Sequence, residues 1–288
     1  MKHPETDLTQ PFTPGIYDGV PLSVYRQARG VSHSDLSLFS RSPARYAAGI
    51  ADPNQEFEAR DEFTMLLRLA LFHPHAFGDG DSHSLCPKEP LAPERCSTAS
   101  GGASSELPVI TKDEVANILA ARDAVCAHPA ARSLLTAVGE YDVSIFGCHP
   151  GTGLMLRARL DRLVEDAQGR PWIIEIKPCA DLQRFARSAR EMRADVQSAF
   201  TTDVLALAGL PDSVFVFIAV DAQPSHGVCG VHAVPSVPFV PSVRVITLDA
   251  PTLENARMVY EGELARFAEC EAAGRWPASS EEIECIAI

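Results

Sequence analysis

Asp161 ends the segment LMLRARLD, and after thirteen intervening residues comes Glu175, within Ile173-Ile174-Glu175-Ile176-Lys177. On a strand the side-chain period is two, so Glu175 and Lys177 share one face. An acidic residue from one strand and E-x-K from the next can meet at a single spot. They supply two carboxylates for a hard divalent cation with an ammonium beside them. Such a set suits phosphodiester cleavage: the cation lowers the pKa of a bound water, and Lys177 orients that water or offsets developing negative charge. The same spacing also suits a solvent-facing charged strip on an amphipathic hairpin. The flanks favour the first reading. Trp172, Ile173, Ile174 and Ile176 make apolar surroundings, where charges persist chiefly when they are paired or bind metal.

The elements that must position these residues are legible in part. Tyr141 to Phe146, Gly153 to Val164 and Trp172 to Ile176 read as three strands joined by turn-rich PGTG and EDAQGRP. Ser32-His33-Ser34-Asp35-Leu36 reads as a capped short helix, and Ser42-Pro43 as a break before a second. Glu56 to Ala70 reads as a helix ended by Pro74. Thr111-Lys112-Asp113-Glu114 has the form of a capping box, with helical spacing continuing to Leu134 and Leu135. Asp181 to Ala208, free of Pro and Gly, reads as helical, Val214 to Val220 as a buried strand, and the Val/Pro mixture to Leu248 as strands at a sheet edge. A last helix is expected from about Leu253 to Ala273, before Gly274. Residues 1–30 are dense in Pro and Gly and favour an extended arm. The Gly-, Ser- and Pro-rich stretch 78–108 reads as a long loop, and 278–288 as a tail. The fold class expected is mixed α/β, with one domain over 31–277.

Along the segment after Lys177, Arg184, Arg187, Arg190 and Arg193 make a locally basic run suited to phosphate contact. Steps of three drift by about 60° around a helix, so not all four can touch one strand. The bland alternative is a solvated face of i,i+3 and i,i+4 pairs. The chain as a whole carries 25 Lys+Arg against 38 Asp+Glu, a net charge of −13, which argues against broad non-specific nucleic-acid binding without excluding a basic groove. Its 46% hydrophobic and 22% charged content excludes a disordered or fibrous chain. Eight cysteines without a C-x-x-C pair argue against a zinc ribbon. No apolar run reaches the length of a membrane span, and the N-terminus does not read as a secretory signal, so a cytoplasmic location is expected.

The strings GLMLRARLDRL, IIEIKPCADLQRF and DVQSAF together resemble the PD-(D/E)XK nuclease domain of the RecE (exonuclease VIII) family of recombination exonucleases. VSHSDLSLFSRSPARY, TKDEVANILAARDAVCAHPAARSLL, VFVFIAV and LARFAECEAAGRWP extend the resemblance over roughly Val31 to Pro277. It implies a restriction-endonuclease-like core, a central mixed β-sheet flanked by helices, similar in fold to lambda exonuclease and RecB nuclease domains. It implies Asp161, Glu175 and the Ile176 backbone carbonyl as ligands of Mg²⁺, with Mn²⁺ as a substitute. Lys177 would be the catalytic lysine and Gln197 the glutamine that supports the site. Arg68, Arg159, Arg184 and Arg187 would contact DNA. The activity implied is 5′ to 3′ degradation of double-stranded DNA ends, leaving 3′ overhangs. The protein would form a homo-oligomeric ring and act with a single-strand annealing recombinase.

Several positions depart from that pattern. Arg68 stands where the family has a metal-site histidine, within Phe63-Thr64-Met65-Leu66-Leu67-Arg68. A guanidinium donates and cannot ligate a metal, so Arg68 would either bind the scissile phosphate or weaken cation binding. A catalytically impaired, DNA-binding relative is therefore the alternative. Pro74 separates His73 and His75 from the helix, so neither is expected to replace the histidine. Asp142 sits where the family often has Glu and is read as a supporting carboxylate. Leu160, Pro178-Cys179 and Thr201 also depart, with effects on packing more than on ligands.

Overall fold

The structure, a computed structural model, describes residues 11–51, 59–74, 112–179, 181–221 and 240–278. The expected loop at 78–108, His75, Thr111 of the expected capping box and all but the first residue of the expected tail lie outside the described residues.

Among the described residues six strands form one mixed sheet in the order in which they occur in the chain: β1 (Gly15–Tyr17), β2 (Gly139–Cys148), β3 (Met155–Glu165), β4 (Pro171–Cys179), β5 (Val214–Asp221) and β6 (Val243–Ile246). All neighbours are antiparallel except β4 and β5, which are parallel. The parallel pair needs a crossover, since a short turn cannot join parallel strands. Helices cover both faces, α1 (Leu22–Gln27), α2 (His33–Arg41), α3 (Pro43–Ala51), α4 (Ala59–Phe72), α5 (Lys112–Ala127), α6 (Pro129–Thr136), α7 (Phe185–Glu191), α8 (Ala194–Leu207) and α9 (Ala250–Ala273).

β4 is apolar on both sides because it lies inside this sandwich. Ile173 and Cys179 pack with α2, α8 and α9 through Leu36, Phe200, Val204 and Leu264. Ile174 and Ile176 pack with α4 and α5 through Leu67, Ala121 and Val125. Glu175 and Lys177, sharing the parity of Ile173, therefore point towards α8.

Local chemistry sets several boundaries as the sequence suggests. Ser32 and Asp35 form a reciprocal capping box at the start of α2, with Ser32 N–H to Asp35 Oδ2 at 2.7 Å. Asp249 caps α9, and Gly274 in the left-handed region ends it.

Other boundaries differ from expectation. Residues 15–30 are not a free arm: β1 pairs with β2, Phe12 stacks on Phe146 at 4.4 Å, and α1 begins directly after Pro21. The proline density misled because Pro is well tolerated at a helix start and on an edge strand's flank. The long central helix stops at His128, whose Nδ1 accepts the Ala131 N–H at 3.3 Å, and restarts at Pro129. The segment 181–208 is a 3₁₀ turn (Leu182–Arg184), α7, and then α8, separated at Arg193 with φ 54°. No residue there is a helix breaker. The break is tertiary, since Arg193 donates to Glu263 Oε2 at 2.5 Å on α9 and to Ser40 Oγ at 3.3 Å on α2.

The crossover brings α8 very close to β2. A Cβ at Gly147 would lie 2.6 Å from Leu207 Cβ and 3.2 Å from the Val204 carbonyl oxygen. Gly147→Ala should cost about 1–3 kcal/mol by overpacking. Chemical denaturation would register this as a lower midpoint at unchanged slope, and an unchanged midpoint would contradict the close approach.

Candidate active site

The β3–β4 ladder runs from Glu165↔Pro171 to Arg162↔Ile174 and stops there. One residue further the strands part, and the next donor is taken by a side chain: Ile176 N–H donates to Asp161 Oδ2 at 2.8 Å. Within a strand the N–H and C=O of one residue point to the same side, so the Ile176 carbonyl also faces the opening. Asp161, 2% exposed, is thus held at the fork between the strands.

Gln197 projects from α8 onto the other two members of the motif. Its Nε2 donates to Glu175 Oε1 at 2.9 Å, and its Oε1 accepts from Lys177 Nζ at 3.0 Å. One amide thereby satisfies an acceptor and a donor and fixes its own orientation. The four residues named from the sequence, Asp161, Glu175, Lys177 and Gln197, are brought together.

Arg68 reaches the fork from α4. Its Nη2 donates to Asp142 Oδ1 at 2.9 Å, and its Nε lies 3.0 Å from Asp161 Oδ1, in ion-pair contact without a hydrogen bond's alignment. Burial works against its charge, but Asp161, Asp142 and Glu175 outweigh it and raise its pKa. For Asp161 the balance is opposite. Burial drives its pKa well above the ordinary carboxylate range and Glu175 and Asp142 add to this, against the opposing pull of Arg68 and the Ile176 N–H.

Asp142 and Asp161 fall opposite each other in the β2–β3 register, between the pairs Tyr141↔Arg162 and Val143↔Leu160. The inside-outside alternation reverses here. Val143 and Leu160 pack towards α8 and α9, whereas Tyr141 and Val164, of the same parity, pack towards α4 and α5. Asp142 has φ 54°, a left-handed conformation that is uncommon outside glycine and that Asn and Asp tolerate best. His73 Nε2 stands 3.7 Å from Asp142 Oδ2, so this histidine does reach the edge of the site despite Pro74.

The three other expected DNA contacts, Arg159, Arg184 and Arg187, are placed differently from Arg68. Arg159 is turned inward, donating to the Val20 carbonyl at 2.8 Å and Ser144 Oγ at 3.1 Å, with Nε 3.7 Å from Asp142 Oδ1. It ties the N-terminal segment to the sheet. Arg184 and Arg187 are 74% and 77% exposed and pair locally with Asp181 and Glu191. Arg193, the last of that run, is the structural tie described above.

His33 is a member of the site that the sequence reading passed over. It follows the α2 cap, its Nε2 lies 3.3 Å from Ser37 Oγ, and burial, then the charges of Lys177 and Arg193, push its pKa down to about 3. A lone histidine within SHSDLSLF has no partner at ligand spacing, so only the fold reveals its place.

Among the described residues no group of three or more His, Cys, Asp or Glu side chains is arranged to hold a metal ion. The oxygen donors at the fork are Asp161, Glu175 and the Ile176 carbonyl. They fit one Mg²⁺, which binds through one or two carboxylates and keeps several waters. The guanidinium already resting on buried Asp161 shows that positive charge is accommodated there.

No family model matches the chain, and no curated protein does. Among solved structures, the fold is shared with a crystal structure from Eubacterium rectale described as a "putative exonuclease": TM-score 0.57 at 12% identity, over 89% of this chain and 86% of that one. The chain thus shares the fold of that structure, seen among the described residues as a six-stranded mixed sheet flanked by helices. No helix among the described residues is long and apolar enough to cross a membrane.

The Asp161 environment has a consequence for stability. A carboxyl whose pKa is higher folded than unfolded contributes stability at low pH that is lost as pH rises through the folded value. In metal-free protein, Asp161→Asn should therefore raise the melting temperature more at pH 8 than at pH 5, measured in EDTA. A gain that is equal at the two pH values, or larger at pH 5, would show that Asp161 ionises without strain.

Proposed function

We propose that this protein is a metal-dependent deoxyribonuclease, a 5′ to 3′ exonuclease on double-stranded DNA ends that leaves 3′ overhangs for recombination. The observation that carries the reading is the convergence of Asp161, Glu175, Lys177 and Gln197 at the fork of β3 and β4. The resemblance to the RecE family and the fold shared with the Eubacterium rectale protein support it.

Asp161, Glu175 and the Ile176 carbonyl would hold Mg²⁺ or Mn²⁺. When bound, the cation supplies a water of lowered pKa and neutralises charge on the pentacoordinate transition state. The chain's own part is positional. Gln197 holds Lys177 Nζ and Glu175 in fixed relation, so the ammonium needs no reorganisation to orient the attacking water or meet developing negative charge. Arg184 and Arg187, free of the fold's interior, are suited to tracking the DNA backbone. A homo-oligomeric ring, an annealing recombinase as partner and a cytoplasmic setting belong to the same reading.

A second reading is favoured by one observation: Arg68 already occupies the carboxylates Asp161 and Asp142. On that reading the chain binds DNA ends without turning them over. The two separate on a linear duplex labelled at either the 5′ or the 3′ end, with Mg²⁺ or with EDTA. The nuclease reading expects metal-dependent loss of the 5′ label first, reduced at least about 100-fold in Lys177→Ala. Intact ends with the wild type over a range of Mg²⁺ and Mn²⁺, and cleavage restored by Arg68→His, would establish the second.

A further inference from the structure

Asp142 has three cations around its carboxylate: Arg68 Nη2 at 2.9 Å, Arg159 Nε at 3.7 Å and His73 Nε2 at 3.7 Å when that ring is protonated. Its fixed positive neighbours are the guanidinium groups of Arg68 from α4 and Arg159 from β3. Asp161 gives one oxygen to the Ile176 N–H and has the Arg68 Nε against the other. Glu175 alone makes no contact with a guanidinium, its partner being the neutral Gln197 amide.

A guanidinium keeps its proton at any physiological pH and offers no lone pair to a metal. Three carboxylates, Asp142, Asp161 and Glu175, thus stand against three permanent or nearly permanent cations, Arg68, Arg159 and Lys177. The site is close to neutral before any divalent ion arrives. One such ion leaves a charge that a phosphodiester anion and its developing transition-state charge can offset. A second would have to draw on Asp142, whose carboxylate already faces the guanidinium groups of both Arg68 and Arg159.

We propose that Arg68 is the fixed second cation of this site, built into the chain, and that the centre takes a single divalent ion on Asp161, Glu175 and the Ile176 carbonyl. The paired arrangement of two metals that clamps an in-line displacement is replaced by one metal and one guanidinium. Arg68 is anchored through Nε and Nη2, its Nη1 takes no hydrogen bond among the described residues, and its side chain remains 29% exposed. That remaining edge is available to a non-bridging oxygen of the scissile phosphate, a contact guanidinium groups make well. The unusual backbone of Asp142 and the reversal of the strands around it serve to present the anchoring carboxylate to α4. This inference rests on the metal-dependent reading above.

The test is Mn²⁺ stoichiometry on the full-length protein, by calorimetry and by loss of the free-ion electron paramagnetic resonance signal, without DNA. Wild type should bind one Mn²⁺ per chain. Arg68→Gln, which keeps the first three carbons of the side chain and removes its charge, should bind two, the second on Asp142 and Asp161. Arg68→Gln combined with Asp142→Asn should return to one, and Arg68→Lys should stay at one. Should Arg68→Gln fail to fold by circular dichroism, Arg68→His carries the same expectation of two. Two ions in the wild type, or one in both Arg68→Gln and Arg68→His, would overturn the inference while leaving the nuclease reading in place. No Mn²⁺ on either the wild type or the variants would remove the metal-dependent reading and the inference with it.

Discussion

The bond from the Ile176 N–H to Asp161 Oδ2 is where the sheet gives up one ladder hydrogen bond and gains the candidate site in return. An unsatisfied buried amide would cost about 1–3 kcal/mol, so a parted pair of central strands needs a substitute acceptor. Asp161 is that acceptor. Its position is dictated by backbone geometry, not by side-chain preference, and everything else at the site is placed relative to it. Because the β4 donor comes from Ile176, the side chains of Glu175 and Lys177 fall on the opposite side of the pleat from that of Ile176, where Gln197 of α8 reaches them. The parallel crossover between β4 and β5 exists to bring α8 there.

Electrostatics at the fork are unbalanced in a way that organises the surroundings. A carboxylate that is 2% exposed has little water to stabilise its charge, and the Ile176 N–H alone does not suffice. Arg68 from α4 and Asp142 from β2 complete a network across two layers, with Arg159 and His73 at its border. On the other face Gln197 stands between Glu175 and Lys177 as a neutral spacer. The acid stays near the fork and the ammonium is held ready, instead of the two collapsing into an ion pair. The two halves of the site thus differ in kind, one tied by charge and the other by an amide.

Much of this was legible in the sequence. Period two places Glu175 with Lys177, the capping residues mark α2 and α9, and the change of hydrophobic period announces β2, β3 and β4. Gln197 was legible only through family resemblance, since nothing in local spacing ties residue 197 to residue 175. What escaped was tertiary. Arg193 breaks a segment of good helix formers because Glu263 and Ser40 pull on its side chain. Residues 15–27 join the sheet and pack a helix against it because strand pairing and the stacking of Phe12 outweigh a proline-rich composition. Arg159 turns inward because Val20 offers it a carbonyl. The reversal at Asp142 leaves no local signature at all, since aspartate is compatible with a left-handed backbone but does not announce one.

On the proposed function, the fork between β3 and β4 is a hydrolytic metal centre. An anomalous difference map from crystals grown with Mn²⁺ tests it most directly. The account expects a peak bounded by Asp161, Glu175 and the Ile176 carbonyl, with Gln197 still bridging Glu175 to Lys177. A fork without a peak at saturating Mn²⁺, or a peak held by other residues of the chain, would contradict it.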